Sequence, residues 1–420
     1  MAEKDSAVPA AETSEVPYAM VGRGLDPPAA ASAFAPNLEL GDQKLILSWL
    51  EKSRAEDGSI ENRLQFSTLQ SREWSAPVTI AEGPNFFANW ADFPKVIEAA
   101  EGTLFAHWLA KTAEDTYAYS VNLARSDDGG ITWNSLGILN DDSTPTEHGF
   151  VSYVRERTGI RAFWLDGRAT LQKGGSMSLR TAYVNETVER SELLDDKVCD
   201  CCSTDAAIVA GRPAVVFRDR SANEIRDISI IRSVTSRLGG RSDSESEGTG
   251  GSEWSDSTPV SADGWEIAGC PVNGPEMAAH GDLTAVAWFT ASGDQPQVAV
   301  TFSSNGGVDF GAPLVIDAAG PLGRVDVVMD GADGAVVSWL ATGDDKAEVS
   351  LQRVSVDGRV STPLVVARTS ASRAAGVPRL VRFGELLYIA WVETGNAAGS
   401  RLRVREIELS SLTLGEPRSS

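Results

Sequence analysis

Three of the chain's four cysteines stand close together, at Cys199, Cys201 and Cys202, and the fourth is Cys270. Cysteine thiolates bind soft metal ions such as copper(I) or zinc(II), and His148 would add a nitrogen ligand if it lay nearby. The same sulfurs could instead form two disulfides, for which the sequence does not select a pairing. Redox-active thiols are a third alternative. The sequence thus predicts a sulfur site whose chemistry stays open.

A second set of chemically active residues combines arginines with carboxylates. Asp166 and Arg168 belong to a DGR motif, Arg218 and Arg220 belong to an RDR motif, and Arg324 stands apart from both. A buried guanidinium is costly unless a carboxylate or an anionic ligand pairs with it. Two interpretations follow: a structural arginine–aspartate network, or a pocket for a carboxylate or phosphate group.

The elements that must position these residues follow from a repeat of short apolar runs that end in tryptophan. The marks are Trp49, Trp108, Trp164, Trp288, Trp339 and Trp391, with Arg218 where a seventh tryptophan would stand. Their spacings of 59, 56, 54, 70, 51 and 52 residues are typical of β-propellers rather than of helical repeats. Each unit contains several strand-like runs separated by turn residues. We therefore predict an all-β protein, a single β-propeller of seven four-stranded blades, with six blades as the alternative.

The boundaries of the propeller follow from composition. Residues 1–33 are rich in Ala, Glu, Ser and Pro and are expected to be a disordered lead, although 16–21 could add an outer strand to the last blade. The propeller is expected to span 34–415. An acidic, low-complexity insert at 236–252 explains the longest spacing and is expected to be a surface loop. The chain shows neither a signal peptide nor an apolar run long enough to cross a membrane.

Charge and composition exclude some partners. The net charge of −22 argues against nucleic acid, which needs basic patches that neutralise phosphates. The 42% of hydrophobic residues and the 39 glycines suit a large all-β core with many turns. We expect a monomer whose partner is a small molecule, a glycan or a metal ion.

The loops that lead into the innermost strand of each blade surround one end of the central channel, and we name them the mouth loops. They are 32–37, 86–94, 146–150, 198–205, 264–277, 320–325 and 372–378. Most of the chemically unusual residues fall in these loops, which predicts a binding site at the channel mouth of blades two to five. Its expected members are Trp90, Asp92, His148, Cys199, Cys201, Cys202, Cys270 and Asn273, supported by Arg218 and Arg220.

A turn in the second unit has the sequence SDDGGITW, at 126–133. Asp128 can cap the turn and the glycines allow a positive φ, which predicts a hairpin with Trp133 packed over it. The pattern formed by Ser126, Asp128, Gly130 and Trp133 resembles the Asp-box of the sialidase-like, or BNR-repeat, β-propellers. That resemblance implies a structural turn placed away from the ligand face.

Longer motifs resemble an uncharacterised bacterial group that is described as exo-α-sialidase-like. They are NWADFP (89–94), HGF (148–150), VCDCC (198–202), FRDR (217–220), EIRDI (224–228) and DGWEIAGCPVNGP (263–275). Members of this group carry an export or lipoprotein signal, so the resemblance implies a periplasmic or cell-surface location.

Three functions are weighed from the sequence. The favoured one is an exported propeller with a Cys/His-rich site that binds a ligand or a soft metal, copper or zinc. The alternative is a sialidase-type glycoside hydrolase in which Asp92 is the acid/base and Arg168, Arg218 and Arg324 hold a substrate carboxylate. Trp90, Asn273 and Arg220 would then contact the ligand. A protein-interaction scaffold is the second alternative.

The sequence does not assign a tyrosine to this site. Sialidases use a tyrosine nucleophile beside a glutamate, and none of the six tyrosines here is recognisable in a mouth loop next to a glutamate. The tyrosine and glutamate of sialidase chemistry therefore have no assigned residues in this sequence.

Overall fold

The computed structural model describes residues 21–55, 57–234, 253–394 and 400–416. Within these ranges the chain forms seven antiparallel sheets arranged as a seven-bladed β-propeller, so the predicted fold is confirmed and the six-bladed alternative is wrong. The insert predicted at 236–252 lies outside the described residues. Helical structure in the described part is limited to short 3-10 segments at Ala100–Gly102, Arg168–Leu171, Ser292–Asp294, Arg373–Ala375 and Leu409–Ser411.

The strands follow one another outward from the channel in each blade. A short strand, β1 (Arg23–Gly24), precedes the first blade, which contains β2 (Phe34–Leu40), β3 (Leu45–Arg54), β4 (Ile60–Gln70), β5 (Glu73–Trp74) and β6 (Val78–Gly83). Blade two contains β7 (Val96–Glu98), β8 (Leu104–Lys111), β9 (Tyr119–Ser126) and β10 (Asn134–Ile138). Blade three contains β11 (His148–Glu156), β12 (Gly159–Asp166), β13 (Ser178–Val184) and β14 (Glu192–Asp195). Blade four contains β15 (Asp205–Val209), β16 (Arg212–Arg218), β17 (Ile228–Arg232) and β18 (Thr258–Ser261).

The remaining blades repeat this order. Blade five contains β19 (Glu276–His280), β20 (Leu283–Thr290), β21 (Gln297–Ser303) and β22 (Leu314–Asp317). Blade six contains β23 (Gly323–Met329), β24 (Gly334–Thr342), β25 (Ala347–Ser355) and β26 (Leu364–Thr369). Blade seven contains β27 (Arg379–Phe383), β28 (Leu386–Thr394) and β29 (Ser400–Glu408), and β1 forms its outer edge.

The two ends of the chain close the ring by pairing in blade seven. Arg23 pairs with Glu406 and Gly24 with Arg405, so the outer strand lies just beyond the segment 16–21 that was expected to supply it. Of that segment only Val21 is among the described residues. Closure by both ends gives the seventh sheet four strands, like blades two to six, whereas blade one has five.

The repeated tryptophans lie on the second strand of each blade, where neighbouring sheets cover them. Four of their indole N–H groups donate to carboxylates, because a buried indole needs a hydrogen-bond acceptor. The pairs are Trp49–Glu51 at 3.1 Å, Trp164–Asp166 at 2.9 Å, Trp288–Asp263 at 2.7 Å and Trp339–Asp317 at 2.6 Å. The residue at the equivalent place in blade four is Arg218.

The turn at 126–133 joins β9 to β10 as a hairpin. Ser126 Oγ lies 2.8 Å from Asp128 Oδ1 and accepts from the Gly130 amide at 2.8 Å, while Asp128 accepts from the Thr132 amide at 2.9 Å. Gly130 has a φ of 94°, and an added Cβ would overlap Phe66, so only glycine fits. The turn follows a third strand, which places it at the end of the blade opposite the mouth loops.

Candidate functional site

The mouth loops are tied to one another across the end of the channel. Trp90 of blade two lies under the guanidinium of Arg324 from blade six, with 4.7 Å between that group and the ring centre. Blades two and six are not neighbours, so this contact spans the mouth. Asn273 Oδ1 accepts from the Arg324 amide at 2.7 Å and holds that residue at a left-handed φ of 54°. Such backbone strain persists only where surrounding contacts enforce it.

Two acidic residues share a tyrosine at this end of the molecule. The hydroxyl of Tyr119 lies 2.6 Å from Oε1 of Glu147 and 3.1 Å from Oδ2 of Asp92. A phenol has one proton to donate, so it cannot donate to both carboxylates at once. The shorter distance makes Glu147 the stronger acceptor of the phenol proton, and a protonated Asp92 or Glu147 would complete the second hydrogen bond.

Burial supports a shared proton. Asp92 is 2% exposed, and burial, followed by the charge of Glu147, raises its pKa to about 7. Burial likewise raises the pKa of the half-buried Glu147 to about 7, with a further contribution from Asp200. Tyr119 is fully buried and stacks on Phe87 at 4.0 Å between ring centres.

The HGF motif explains how Asp92 reaches this position. A Cβ on Gly149 would lie 2.0 Å from Asp92 Oδ2, so the carboxylate approaches only because residue 149 lacks a side chain. Phe150 has a φ of 53° and donates its amide to Asp92 Oδ1 at 2.7 Å. Each residue after the histidine thus serves to hold the carboxylate of the preceding blade.

Asp92 also belongs to a repeated hydrogen bond between blades, in which an aspartate accepts a backbone amide of the next blade. Asp205 accepts the Met277 amide at 2.8 Å, and Asp326 accepts the Leu380 amide at 2.7 Å, as Asp92 does with Phe150. These bonds join blades two to three, four to five and six to seven. Of the three aspartates, Asp92 is the one that accepts a hydrogen bond from a tyrosine hydroxyl among the described residues.

His148 turns away from the sulfurs and towards a separate acidic group. Its Nδ1 lies 3.1 Å from the carbonyl oxygens of both Tyr119 and Thr146, so Nδ1 donates and Nε2 faces Asp142 at 3.1 Å and Asp166 at 3.8 Å. Burial opposes the charged imidazolium, but the Asp142 bond and the charge of Asp166 raise the pKa of His148 overall.

The arginine of the DGR motif completes this group. Arg168 Nε lies 2.7 Å from Asp166 and Nη1 lies 2.8 Å from Asp141. The three ligand atoms of Asp142, His148 and Asp166 lie within 4.8 Å of one another, a separation compatible with a metal ion. The guanidinium already supplies a cation, so these contacts describe a structural cluster.

The four cysteines form two disulfides, Cys199–Cys202 and Cys201–Cys270, and no cysteine is free. The second bond ties the mouth loop of blade four to that of blade five. Cys199 and Cys202 are each 1% exposed, whereas Cys270 is exposed. Disulfide formation was one of the three alternatives; metal binding by these sulfurs stays a prediction, and it would require their reduction.

Arg218 supports the loops from inside blade four. It is 1% exposed, and its guanidinium donates to the carbonyl oxygens of Asn273 at 3.0 Å, Arg226 at 2.6 Å and Phe289 at 2.6 Å. Its carbonyl accepts the Cys199 amide at 2.9 Å. Burial lowers its pKa to about 10. These partners account for the buried charge.

The other predicted contacts divide between two places. Arg220 pairs with Asp200 at 2.8 Å and Glu224 at 3.0 Å on the surface of blade four. Arg324 donates to the carbonyl oxygens of Ser372 at 3.1 Å and Gly376 at 3.0 Å. The structure therefore brings Trp90, Asn273 and Arg324 together, and keeps Arg168 and Arg220 in separate ion-pair clusters.

A cavity of about 580 Å³ occupies the other end of the channel, away from the mouth loops. Residues of the innermost strands line it, including Met277, Met329 and Leu380, and none of the predicted site residues does. Arg379 lies at its inner end, 3.0 Å from Glu276 and 3.2 Å from Asp326. The cavity and the chemically active side chains thus lie at opposite ends of the channel. A central channel is common to all propellers, so the mouth loops, rather than the cavity, are the candidate site.

Sequence reasoning missed Glu147 and Tyr119, because it did not recognise a tyrosine beside a mouth-loop glutamate, and the structure brings these two side chains together. Glu147 directly precedes His148 in the same mouth loop. Tyr119 begins β9, a third strand, and third strands start at the same end of a blade as the mouth loops. That rule of strand direction could have placed the two side chains together.

Comparison with known proteins identifies the fold. No protein-family model matches the sequence, and no curated protein is significantly similar to it. A polysaccharide lyase, Uly1, is similar in structure with a TM-score of 0.53 at 10% identity, covering 94% of both chains. An α-L-arabinofuranosidase from Fusarium graminearum has a TM-score of 0.50 at 12% identity, covering 94% of this chain and 99% of its own. A protein of unknown function from Dyadobacter fermentans has a TM-score of 0.50 at 11% identity, with 90% and 94% covered. At such identities the likeness shows a shared propeller fold.

No helix in the described ranges is long and apolar enough to span a membrane.

Proposed function

We propose that the protein is a glycoside hydrolase whose acid/base group is the Asp92–Glu147 pair at the channel mouth. The observation that carries the proposal is the phenol of Tyr119 between the two carboxyl groups, 2.6 Å from one and 3.1 Å from the other. Hydrolysis of a glycosidic bond needs one carboxylic acid that protonates the leaving oxygen and one carboxylate. Glu147 is the acid in this proposal, and Asp92, which is 2% exposed, does not reach the sugar as the carboxylate.

Glu147 is the member that faces the substrate, because it is half-buried while Asp92 and Tyr119 are buried. Asp92, the acid/base predicted from the sequence, acts in this proposal as a positioning residue that reaches Glu147 through Tyr119. A pKa of about 7 for each carboxyl group suits proton transfer near neutral pH. Trp90 offers an aromatic face for a sugar ring at the same mouth.

A glycan is the substrate class to test, since two propellers of the same fold are named a polysaccharide lyase and an arabinofuranosidase. Sialic acid as the specific substrate is the finer proposal, and it requires arginines that hold a carboxylate. Arg324 beside Trp90 and Asn273 is the best-placed of the three predicted. Its Nη1 donates to the carbonyl oxygens of Ser372 and Gly376, whereas all three nitrogens of the Arg218 guanidinium donate to carbonyl oxygens.

The test uses a panel of fluorogenic aryl glycosides that includes an α-sialoside and an α-L-arabinofuranoside. Glu147→Gln should lower kcat by about 100- to 10,000-fold, the range for a lost general acid. Tyr119→Phe should also lower kcat. Tyr153→Phe is the matched control, because Tyr153 is buried and its hydroxyl has no hydrogen-bond partner among the described residues. Hydrolysis that survives Glu147→Gln, or a panel with no substrate, would sink the proposal.

A soft-metal site is the second candidate, favoured by three sulfurs, of Cys199, Cys201 and Cys202, within 4.8 Å of one another. We propose that the reduced protein binds copper(I) or zinc(II) there, with Cys270 as the fourth ligand. Metal analysis after anaerobic reduction should give one ion per chain, lost in Cys199→Ser. His148→Ala should retain it, because the ring faces carboxylates. No bound metal after reduction would reject this candidate.

We further propose a location outside the cytoplasm, since disulfides persist in oxidising compartments. The two bonds support this proposal. Alkylation of protein from intact cells of the native host should find no free thiol; four free thiols would contradict it.

A further inference from the structure

The two disulfides differ in their exposure, although their sulfurs are neighbours. The inner bond joins Cys199 to Cys202, which are both buried, and the outer bond joins the half-buried Cys201 to the exposed Cys270. The Sγ atoms of Cys199, Cys201 and Cys202 lie within 4.8 Å of one another. One bond is therefore open to an attacking thiolate, and the other lies within reach of the sulfur that such an attack would release.

The outer bond also fixes a segment of the mouth. Ile267 donates its amide to Glu224 at 3.0 Å, and Asn273 accepts from Arg218 and Arg324 at the other end of the segment. Cys270 anchors the exposed middle. Val272 has a φ of 51°, which a β-branched residue disfavours, so the segment is held in a conformation that it would not adopt freely.

We propose that Cys201–Cys270 is a thiol–disulfide exchange site for a dithiol reductant, with Cys199–Cys202 as its internal exchange partner. This activity is independent of glycoside hydrolysis. Exposure of the attacked sulfur controls such reactions, together with the leaving thiol.

In this exchange each sulfur–sulfur bond that forms replaces one that breaks. A thiolate of the dithiol attacks Cys270 Sγ, the bond to Cys201 breaks, and Cys201 leaves as a thiolate. The second sulfur of the reductant then closes on the first and releases Cys270 as a thiolate, so the dithiol is oxidised by two electrons and the bridge is reduced. The Cys201 thiolate next attacks Cys199 or Cys202; a new bond forms, the other inner cysteine leaves as a thiolate, and no further electrons are used.

The experiment treats the oxidised full chain with limiting dithiothreitol, followed by rapid alkylation and peptide mass spectrometry. Cys270 should be alkylated first, about tenfold or more faster than the inner cysteines, because it alone is exposed. The second label should be distributed over Cys199, Cys201 and Cys202. Labelling of Cys199 and Cys202 before Cys270 would overturn the proposal, as would the appearance of all four thiols only on global unfolding. A second label confined to Cys201 would refute the internal exchange.

The control variant is Cys201→Ser combined with Cys270→Ser, which leaves the inner bond alone. Its inner bond should release no thiol at the dithiothreitol concentration that reduces the outer bond, because both inner cysteines are 1% exposed. Circular dichroism checks that the variant is folded. If its inner bond is reduced as quickly as the outer bond of the parent, exposure does not govern the order and the assignment fails.

Discussion

Gly149→Ala tests whether the candidate site depends on the close approach of Asp92. The added Cβ would lie 2.0 Å from Asp92 Oδ2 and 3.1 Å from Tyr119 Cε2, far inside van der Waals contact. Neither neighbour can move freely, since Asp92 is bonded to the Phe150 amide at 2.7 Å and Tyr119 is fully buried. Relief of the overlap must therefore displace a packed group.

The loss in free energy of unfolding for Gly149→Ala has two parts. Overpacking of a filled interior costs about 1–3 kcal/mol. If Asp92 rotates away, the Phe150 amide loses its acceptor, which costs about 1–3 kcal/mol for a buried group. We expect the free energy of unfolding to fall by about 2–6 kcal/mol. Urea denaturation with an unchanged m-value would measure it.

Two comparisons make the result decisive. Gly83→Ala on β6 should be neutral, because nothing lies within 4 Å of its added Cβ. In an Asp92→Ala background the carboxylate is gone, so the cost of Gly149→Ala should largely disappear, giving a coupling well above about 0.5 kcal/mol. A Gly149→Ala variant as stable as the parent, or an undiminished cost in the double variant, would refute this account of the HGF motif.

Three further predictions concern stability. Burial raises the pKa of Asp92 from 3.8 to about 7, so the folded state holds this proton more tightly than the unfolded chain. Its contribution to stability is full below about pH 4 and is lost as the pH rises through 7, and Asp92→Asn should flatten urea-unfolding midpoints over that window; an unchanged slope would contradict this. Arg218→Lys should lower the free energy of unfolding by about 2–4 kcal/mol, because one ammonium cannot reach three carbonyl oxygens. The control, Arg220→Lys on the surface, should cost under about 1 kcal/mol in urea unfolding. Equal losses for the two variants would exclude the carbonyl contacts as the cause. Ser126→Ala leaves the Gly130 amide without its acceptor and should cost about 1–2 kcal/mol by thermal or urea unfolding; no loss would mean that the turn does not need this bond.

The fold could be predicted because its determinants repeat. A tryptophan on the second strand of six blades recurs at intervals near the length of a blade, and Arg218 occupies the same register in blade four. The hairpin at 126–133 could be predicted because its glycines and Asp128 act over a few residues. Local and periodic sequence patterns predict structure without knowledge of the tertiary fold.

The site could be predicted only in part, because its geometry depends on irregular backbone. Strand alternation would orient His148, but the β11–β12 register shifts between Gly149 and Ser152, and Phe150 takes a positive φ. A bulge redirects the side chains around it, so the histidine faces Asp142 rather than the sulfurs. Which cysteines pair likewise depends on the paths of the mouth loops, and no periodic pattern in the sequence predicts those paths.

Arg218 shows why one blade departs from the repeat. Elsewhere the indole donates one bond to one carboxylate, but in blade four three carbonyl oxygens converge on this position, from Asn273, Arg226 and Phe289. An indole has one donor and a guanidinium has five, so only arginine can satisfy all three. The missing aromatic ring is replaced from the mouth loop, where Trp265 stacks on the guanidinium at 4.9 Å. Restoring the repeat by Arg218→Trp would therefore leave carbonyl groups unpaired and crowd Trp265, and the mouth loop that carries Cys270 would lose its support.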